Sequence, residues 1–410
     1  LSPAASAERL DQVHDRLVEL AHSATVKYVV CVPDGCADEP LDELGGRTPL
    51  EVANTPVLDS LSARGVVGSA AVIPKDFPPG SDVGNMSILG YNPAIYHTGR
   101  APIEAAAMGL RIDGDHVAYR CNLVTVDDQG VMVDFAGGHP DTAVAAAAIA
   151  ALDRELGGVV TFHAGVQYRH TMVAPIAFAS AECVPPHDFT GRVAPRPVGA
   201  AAADLESLMQ RSRAVLADFD IAANQIWLWG QGRQPDMPTF RHHHGVEAGL
   251  VSAVDLVRGL GVLTDMTVAT VEGATAWYDT NYEGKRDAAL DGLAGGLDLF
   301  VIHVEASDEA GHAGDVEEKV RALENWDRRI LADLITGLDS MGPWRLLLLP
   351  DHATPLARRT HTTEPVPYLM VSSEAAGPGG TYSEAGIADL APTPGHVLMR
   401  ALVGAPVVST

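Results

Sequence analysis

The chain has 410 residues, 47% of them hydrophobic and 20% charged, which is enough for two or three domains and an ample core. Its 28 basic against 53 acidic side chains leave a net charge of −25, which argues against nucleic acid or an anionic membrane as a partner. No apolar run approaches the roughly 18 residues of a membrane span. Four cysteines, Cys31, Cys36, Cys121 and Cys183, show no metal-ligand spacing, so reduced thiols in a cytoplasmic protein are expected.

Residues 1–25 contain acids and place Leu10, Val13, Leu17 and Leu20 at helical spacing. They read as an amphipathic helical extension packed on the body or on a partner subunit rather than as a signal peptide, and a homo-oligomeric state is left open. VKYVVCVPDG predicts a buried strand near 26–32 that ends at Asp34, followed by a helical stretch at 51–65 and a strand near 67–73. In FPPGSDVGNMSILGYNP a stiff Pro78-Pro79-Gly80 turn precedes a helix that starts at Ser81. Between 113 and 192 the pattern changes to short strands at 117–127, 159–163 and 168–174 around one alanine-rich helix at 140–156. This reads as an inserted α+β cap domain, with PRPVG marking the return to a core made of 26–112 and 193–410. Further strands near 225–229, 266–271, 297–304, 344–349 and 368–371 alternate with helices at 251–260 and 315–338. Such alternation predicts an α/β fold with a doubly wound, mostly parallel sheet.

Three of these apolar strands run out into groups that can grip a cation. The first ends at Asp34. The second is followed by Asp308 and His312 at i, i+4, on one face of a short helix, and the third by Asp351 and His352, with His361 nine residues on. Alone, Asp34 is explained as a turn residue and Ser81 as a helix cap. Together they are not, because a parallel sheet gathers the carboxyl ends of its strands in one crevice. Asp and His without Cys suit a catalytic manganese or zinc, with magnesium as a third candidate, rather than a structural zinc. Ser81, at a helix start whose free N–H groups favour a phosphate, is the candidate nucleophile. Its hydroxyl is weak at neutral pH and needs a divalent cation beside it.

The remaining cations near motifs are Arg100, Arg120, Arg169, Arg192 and Lys285, candidates for holding the phosphate or carboxylate of a small phosphorylated metabolite in a cap that closes against water. His170 and the pair His187 and Asp188 are further acid/base candidates. The tract His242, His243 and His244 reads as a solvated loop.

The strings PDGCADEP, GGRTPLEVANTPVLDSLSARG, PPGSDVGNMSILGYNP, YHTGRAPIEAAAMGL, VEGATAWYDTNYEGK, HVEASDEAGHAGD and LPDHATPLARRTHTTEPVP resemble the archaeal-type 2,3-bisphosphoglycerate-independent phosphoglycerate mutases of the alkaline phosphatase superfamily, from about Lys27 to about Val371. The resemblance implies two divalent metal ions, one on Asp308, His312 and His361 and the other on Asp34, Ser81, Asp351 and His352, with a phosphoserine formed on Ser81. One segment departs from the archaeal pattern. VDFAGGHPDT carries no arginine, and none lies between Arg120 and Arg154, so the chain is also similar to a bacterial branch proposed to phosphorylate homoserine. One cation fewer for a doubly anionic acid leads to the expectation of weak phosphoglycerate mutase activity relative to another phosphate ester. A kinase-like phosphotransferase, lacking any P-loop motif, or a phosphomonoesterase are the alternatives.

Overall fold

The computed structural model describes residues 26–404. They form two compact units, the first running to Tyr96 and resuming at Met237, the second His97–Asp236. The helix expected within 1–25 lies outside the described residues. In chain order the first unit begins with β1 (Lys27–Pro33) and β2 (Val66–Ala71). The second unit holds β3 (His116–Val126), β4 (Met132–Asp134), β5 (Thr161–Val166), β6 (Arg169–Pro175), β7 (Ala181–Glu182), β8 (Val198–Gly199) and β9 (Gln225–Gly232). The first resumes with β10 (Ala248–Val251), β11 (Thr267–Ala269), β12 (Leu299–Val304), β13 (Trp344–Leu348), β14 (Val366–Ser372) and β15 (Thr393–Pro394).

The first unit is built on an eight-stranded sheet in the order β11-β10-β12-β1-β13-β14-β2-β15. From β11 to β13 every pairing is parallel, while β14 runs against both neighbours. Strands β12 and β13 are buried along their whole length, which is why they read as mainly apolar runs, interrupted by His303 and Arg345, rather than alternating ones. Val29, Cys31, Phe300, Ile302, Leu346 and Leu348 share a core with Trp326, Ile330 and Leu334 from the helical stretch that begins at Val316. The helix expected at 51–65 is two pieces, Pro49–Val52 and Pro56–Ser62. Pro56 biases the residue before it away from helical geometry. The carboxylate of Asp327 accepts the backbone N–H groups of Val57 and Leu58 at 3.2 and 2.8 Å, tying the second piece to the long helical stretch.

In the second unit β3 is the central strand, antiparallel to β6 and β9 and, at its end, to β4. The helices Thr142–Leu156 and Ala202–Leu216 bury Ala145, Ile149, Leu152, Leu205, Met209 and Leu216 in one core with Leu123, Ile226 and Leu228. Two expectations are corrected here. The strand at 225–229 belongs to this sheet, pairing Ile226 with Leu123, and PRPVG is followed by more of the second unit, which continues to Asp236. An apolar run such as QIWLW shows that a strand is buried but not which sheet it joins. The strand β10 was not foreseen, because it is four residues long with a single β-branched side chain, Val251.

A fully buried ion pair fixes the loop after β1 to the loop after β13. Lys319 Nζ donates to Asp38 Oδ2 at 2.7 Å and to the carbonyl of Thr354 at 2.8 Å, and neither charged side chain has exposed surface. Asp38 also accepts the backbone N–H of Leu356. Lys319→Ala leaves this carboxylate buried without its cation and should lower unfolding free energy by about 3–5 kcal/mol, read as a fall in the urea midpoint at unchanged m-value.

Candidate metal centre

Because β12, β1 and β13 are adjacent and parallel, their carboxyl ends deliver Asp34, Asp308 and Asp351 to one edge of the sheet. All seven residues picked out as metal or nucleophile candidates lie in the first unit. Six of them form two groups: Asp34, Asp351 and His352 offer ligand atoms within 4.8 Å of one another, and so do Asp308, His312 and His361. His352 Nε2 lies 3.5 Å from Asp34 Oδ1 and 3.5 Å from Asp351 Oδ2. In the other group His312 Nε2 is 3.3 Å from Asp308 Oδ2, and His361 Nε2 is 3.5 Å from Asp308 Oδ1. The two Nε2 atoms approach to 2.9 Å, and His352 stacks on His361 with ring centroids 3.9 Å apart.

Ser81 is the first residue of the helix Ser81–Ile88, with Gly80 at the cap position, so its hydroxyl is not spent on capping. Its Oγ lies 3.2 Å from His352 Nε2. The helix can come this close because position 84 is glycine: a Cβ there would stand 2.1 Å from the carbonyl oxygen of Asp351. Gly35 is needed for two reasons. Its φ is +61°, and a Cβ would meet Asp308 Oδ1 and Thr354 Oγ1 at 2.5 Å.

Electrostatics separate the two groups. Burial, then the charges of Asp351 and Asp308, push the Asp34 carboxyl well above the usual carboxylate range. Asp351 is also raised by burial, but the imidazoles of His352 and His303 outweigh this and hold it low. Asp34 Oδ1 and Asp351 Oδ1 are buried without a hydrogen-bond donor. Two carboxylates that repel each other and keep an unpartnered oxygen each are the donor set a divalent cation satisfies. Burial brings the His352 imidazole down to about 4, leaving it neutral with a lone pair to share. Asp308 is held low, against its burial, by hydrogen bonds from His312 and His361, and Thr354 Oγ1 donates to its Oδ1. The side chains of His312 and His361 are 37% and 20% exposed, so this group opens to solvent while the other is closed. With carboxylate and imidazole donors throughout, the residues present fit two divalent cations.

The arginines lie in the second unit. Arg100 and Arg120 grip the two oxygens of Glu104, at 3.3 and 2.8 Å, and both guanidinium groups stand over the ring of Trp229, 5.9 and 4.2 Å from its centroid. Burial, and the nearby charges of Arg100 and Arg169, lower buried Arg120 to about 10 against the pull of Glu104. Arg169 is exposed, over the ring of Tyr168. Arg192 is exposed and turns back to donate to the carbonyl of Asp188.

Lys285 corrects the sequence reading. It has no exposed surface, and its ammonium donates to Glu305 and to the carbonyl of His303 at 3.0 Å, so it is buried away from a substrate. His170 is buried, accepts from the backbone of Gly165, and is lowered by burial to about 4. His187 packs edge-on to Trp229. His242, His243 and His244 are not a solvated loop. They end the helix Phe240–His244, where His243 stacks on Tyr91 and buried His244 bonds the carbonyl of Leu89. Sequence reasoning passed over His303, Glu305 and Asn85. Their signal was present, since two polar residues two apart on a buried strand share one face and need partners.

Comparison with known proteins places the chain in a family. The model of the 2,3-bisphosphoglycerate-independent phosphoglycerate mutase family matches residues 62–222. The phosphoglycerate mutase of that name from Methanosarcina acetivorans is 44% identical over 370 residues, covering 87% of this chain and 93% of the relative. The chain belongs to the 2,3-bisphosphoglycerate-independent phosphoglycerate mutase family. The fold is shared with the PH0037 protein from Pyrococcus horikoshii, with a TM-score of 0.74 at 24% identity, covering 95% of this chain and 100% of that one. It is also shared with the cofactor-independent phosphoglycerate mutase of Thermoplasma acidophilum, with a TM-score of 0.59 at 23% identity, covering 92% and 98%. As a member of this mutase family the chain is a metal-dependent phosphomutase acting on a small phosphorylated metabolite. No helix among the described residues is long and apolar enough to cross a membrane.

If the two groups each hold one ion, Asp308→Asn and Asp351→Asn should each bind about one manganous ion per chain where the parent binds two, measured by inductively coupled plasma mass spectrometry after gel filtration. Two ions retained by both variants would mean that the partition is wrong.

Proposed function

We propose that the chain interconverts 3-phosphoglycerate and 2-phosphoglycerate through a phosphoserine on Ser81. The observation that carries the reading is the placement of Ser81 Oγ 3.2 Å from His352, at the edge of the closed carboxylate group. Asp34, Ser81, Asp351 and His352 would hold one divalent cation and Asp308, His312 and His361 the other. Manganese or zinc suits donors that are oxygen and imidazole without thiolate, with magnesium third. Cations bound there supply the positive charge that makes a serine hydroxyl nucleophilic and neutralises phosphoryl oxygens.

Ser81 Oγ attacks phosphorus as its hydroxyl proton passes to solvent. The bond from phosphorus to the substrate oxygen breaks, and that oxygen takes up a proton from solvent to become a hydroxyl of glycerate. Glycerate stays bound; its other hydroxyl gives up its proton and attacks the phosphorus of phosphoserine, the P–Oγ bond breaks, and Oγ takes up a proton to regenerate Ser81. Retention requires a grip on the carboxylate. Within the second unit, Arg100, Arg120 and Arg169 are the candidates for binding a carboxylate, their three charges against the one on Glu104 leaving an excess of two. Arg192, turned onto Asp188, is the weaker candidate. Against the arginine-free segment VDFAGGHPDT stands the pairing of Arg100 and Arg120, twenty residues apart in sequence, over the ring of Trp229. The names of the relatives also favour mutase chemistry over transfer to homoserine. Four free cysteines, three of them buried, support a cytoplasmic setting.

Phosphorus NMR of metal-loaded protein with 3-phosphoglycerate should show 2-phosphoglycerate, with kcat/KM above about 10⁵ M⁻¹s⁻¹. No conversion, together with transfer from ATP to homoserine or hydrolysis of other monoesters, contradicts the reading. Ser81→Ala should abolish turnover and phosphoenzyme labelling while keeping the circular dichroism spectrum of the parent. Labelling retained at another residue would overturn the nucleophile.

A further inference from the structure

Behind Asp34, Asp351 and His352 lies a layer of buried polar side chains that the steps above do not use. His303 and Glu305 stand two residues apart across the end of β12, on one face, where an apolar strand would bury two hydrocarbon side chains. Both ring nitrogens of His303 face carboxylate oxygens. Its Nδ1 lies 3.2 Å from Glu305 Oε1, and its Nε2 lies 3.5 Å from Asp34 Oδ2 and 3.8 Å from Asp351 Oδ2. Glu305 is fixed in turn from three sides. Its Oε1 accepts from Ser252 Oγ at 2.9 Å and from the backbone of Ala253 at 2.7 Å, and its Oε2 accepts from Lys285. Lys285 donates as well to the carbonyl of His303 at 3.0 Å, so ring and backbone of the histidine are held by one assembly.

The carboxylates that His303 faces divide their oxygens between two roles. Oδ2 of Asp351 also accepts from Asn85 Nδ2 at 2.7 Å, whereas Oδ1 of Asp34 and Oδ1 of Asp351 are buried without a donor. We infer that His303, clamped by Glu305 and Lys285, is a positioning residue for the closed cation site: facing Oδ2 of Asp34 and Oδ2 of Asp351, it fixes the two carboxylates so that Oδ1 of each, which has no donor, is left for a cation. The inference rests on the proposed site. Ligand carboxylates anchored from behind in this way lose affinity when the anchor is removed, by roughly 10- to 100-fold.

Manganous-ion titrations followed by electron paramagnetic resonance separate the sites when run in single-site backgrounds. Asp308→Asn leaves the closed group, and Asp351→Asn leaves the open one. Adding Glu305→Gln, which keeps the shape of the clamp and removes its charge, should weaken binding about 10- to 100-fold in the first background and leave the second unchanged. The manganese hyperfine pattern of the closed site should broaden as its ligands lose their fixed geometry. Where Glu305→Gln does not fold, Ser252→Ala removes one donor to the clamp and should weaken the closed site selectively. Unchanged affinity in the first background, or an equal loss in both, overturns the positioning role. The cation sites themselves fail separately, if Asp308→Asn and Asp351→Asn alone each still bind two ions.

Discussion

Asp34 and Asp351 converge within 4.8 Å at a place that water scarcely reaches. At an effective dielectric of about 20, two unit charges at that separation repel by roughly 3–4 kcal/mol. The fold supplies this geometry because β1 lies between β12 and β13 with all three parallel. Much of the surrounding structure can be understood as making that crowding tolerable. Asn85 donates to Asp351 Oδ2, His303 faces Asp34 Oδ2, and Ser307 donates to the Asp34 carbonyl at 2.6 Å. The charge left over is what a divalent cation would neutralise, which links the stability of the edge to its chemistry.

Two buried lysines stand behind this edge, neither in the candidate ligand set. Lys285 neutralises Glu305, and Lys319 neutralises Asp38 while holding the Thr354 carbonyl. Thr354 connects the second ion pair to both groups, since its hydroxyl donates to Asp308 and lies 3.2 Å from His352 Nδ1. Buried pairs of this kind add little net stability compared with apolar replacements, but breaking one is costly. Their value here is in orientation: each fixes a loop that carries a candidate ligand.

The gathering of the candidate ligands at one edge was legible in the sequence because it obeys a rule of the fold. Parallel strands bring their carboxyl ends together, so a carboxylate just after each of three apolar runs could be placed without coordinates, and Asp308 and His312 share a helical face at i, i+4. Other features were not legible. Lys285 looked like a substrate contact, because a lysine near a motif is usually solvated; its burial depends on Glu305, twenty residues away on another element. Arg100, Arg120 and Arg169 have no common spacing, and only the pairing of β3 with β6 and β9 brings Arg120 beside Thr171 and Trp229. The strand QIWLW was recognisable as buried, but its partner is set by the register with Leu123 rather than by its own composition. His303 and Glu305 were visible as polar residues in an apolar run, and their meaning emerged only with Asp34 and Asp351 opposite them.

The proposed chemistry needs two cations on separate ligand groups at this edge, one of them beside Ser81. Anomalous diffraction at the manganese edge from crystals grown with manganous ion locates them. Two anomalous peaks are expected, one among Asp34, Asp351 and His352 beside Ser81 Oγ and one among Asp308, His312 and His361. A single peak, or manganese bound only away from these residues, would contradict the proposed chemistry.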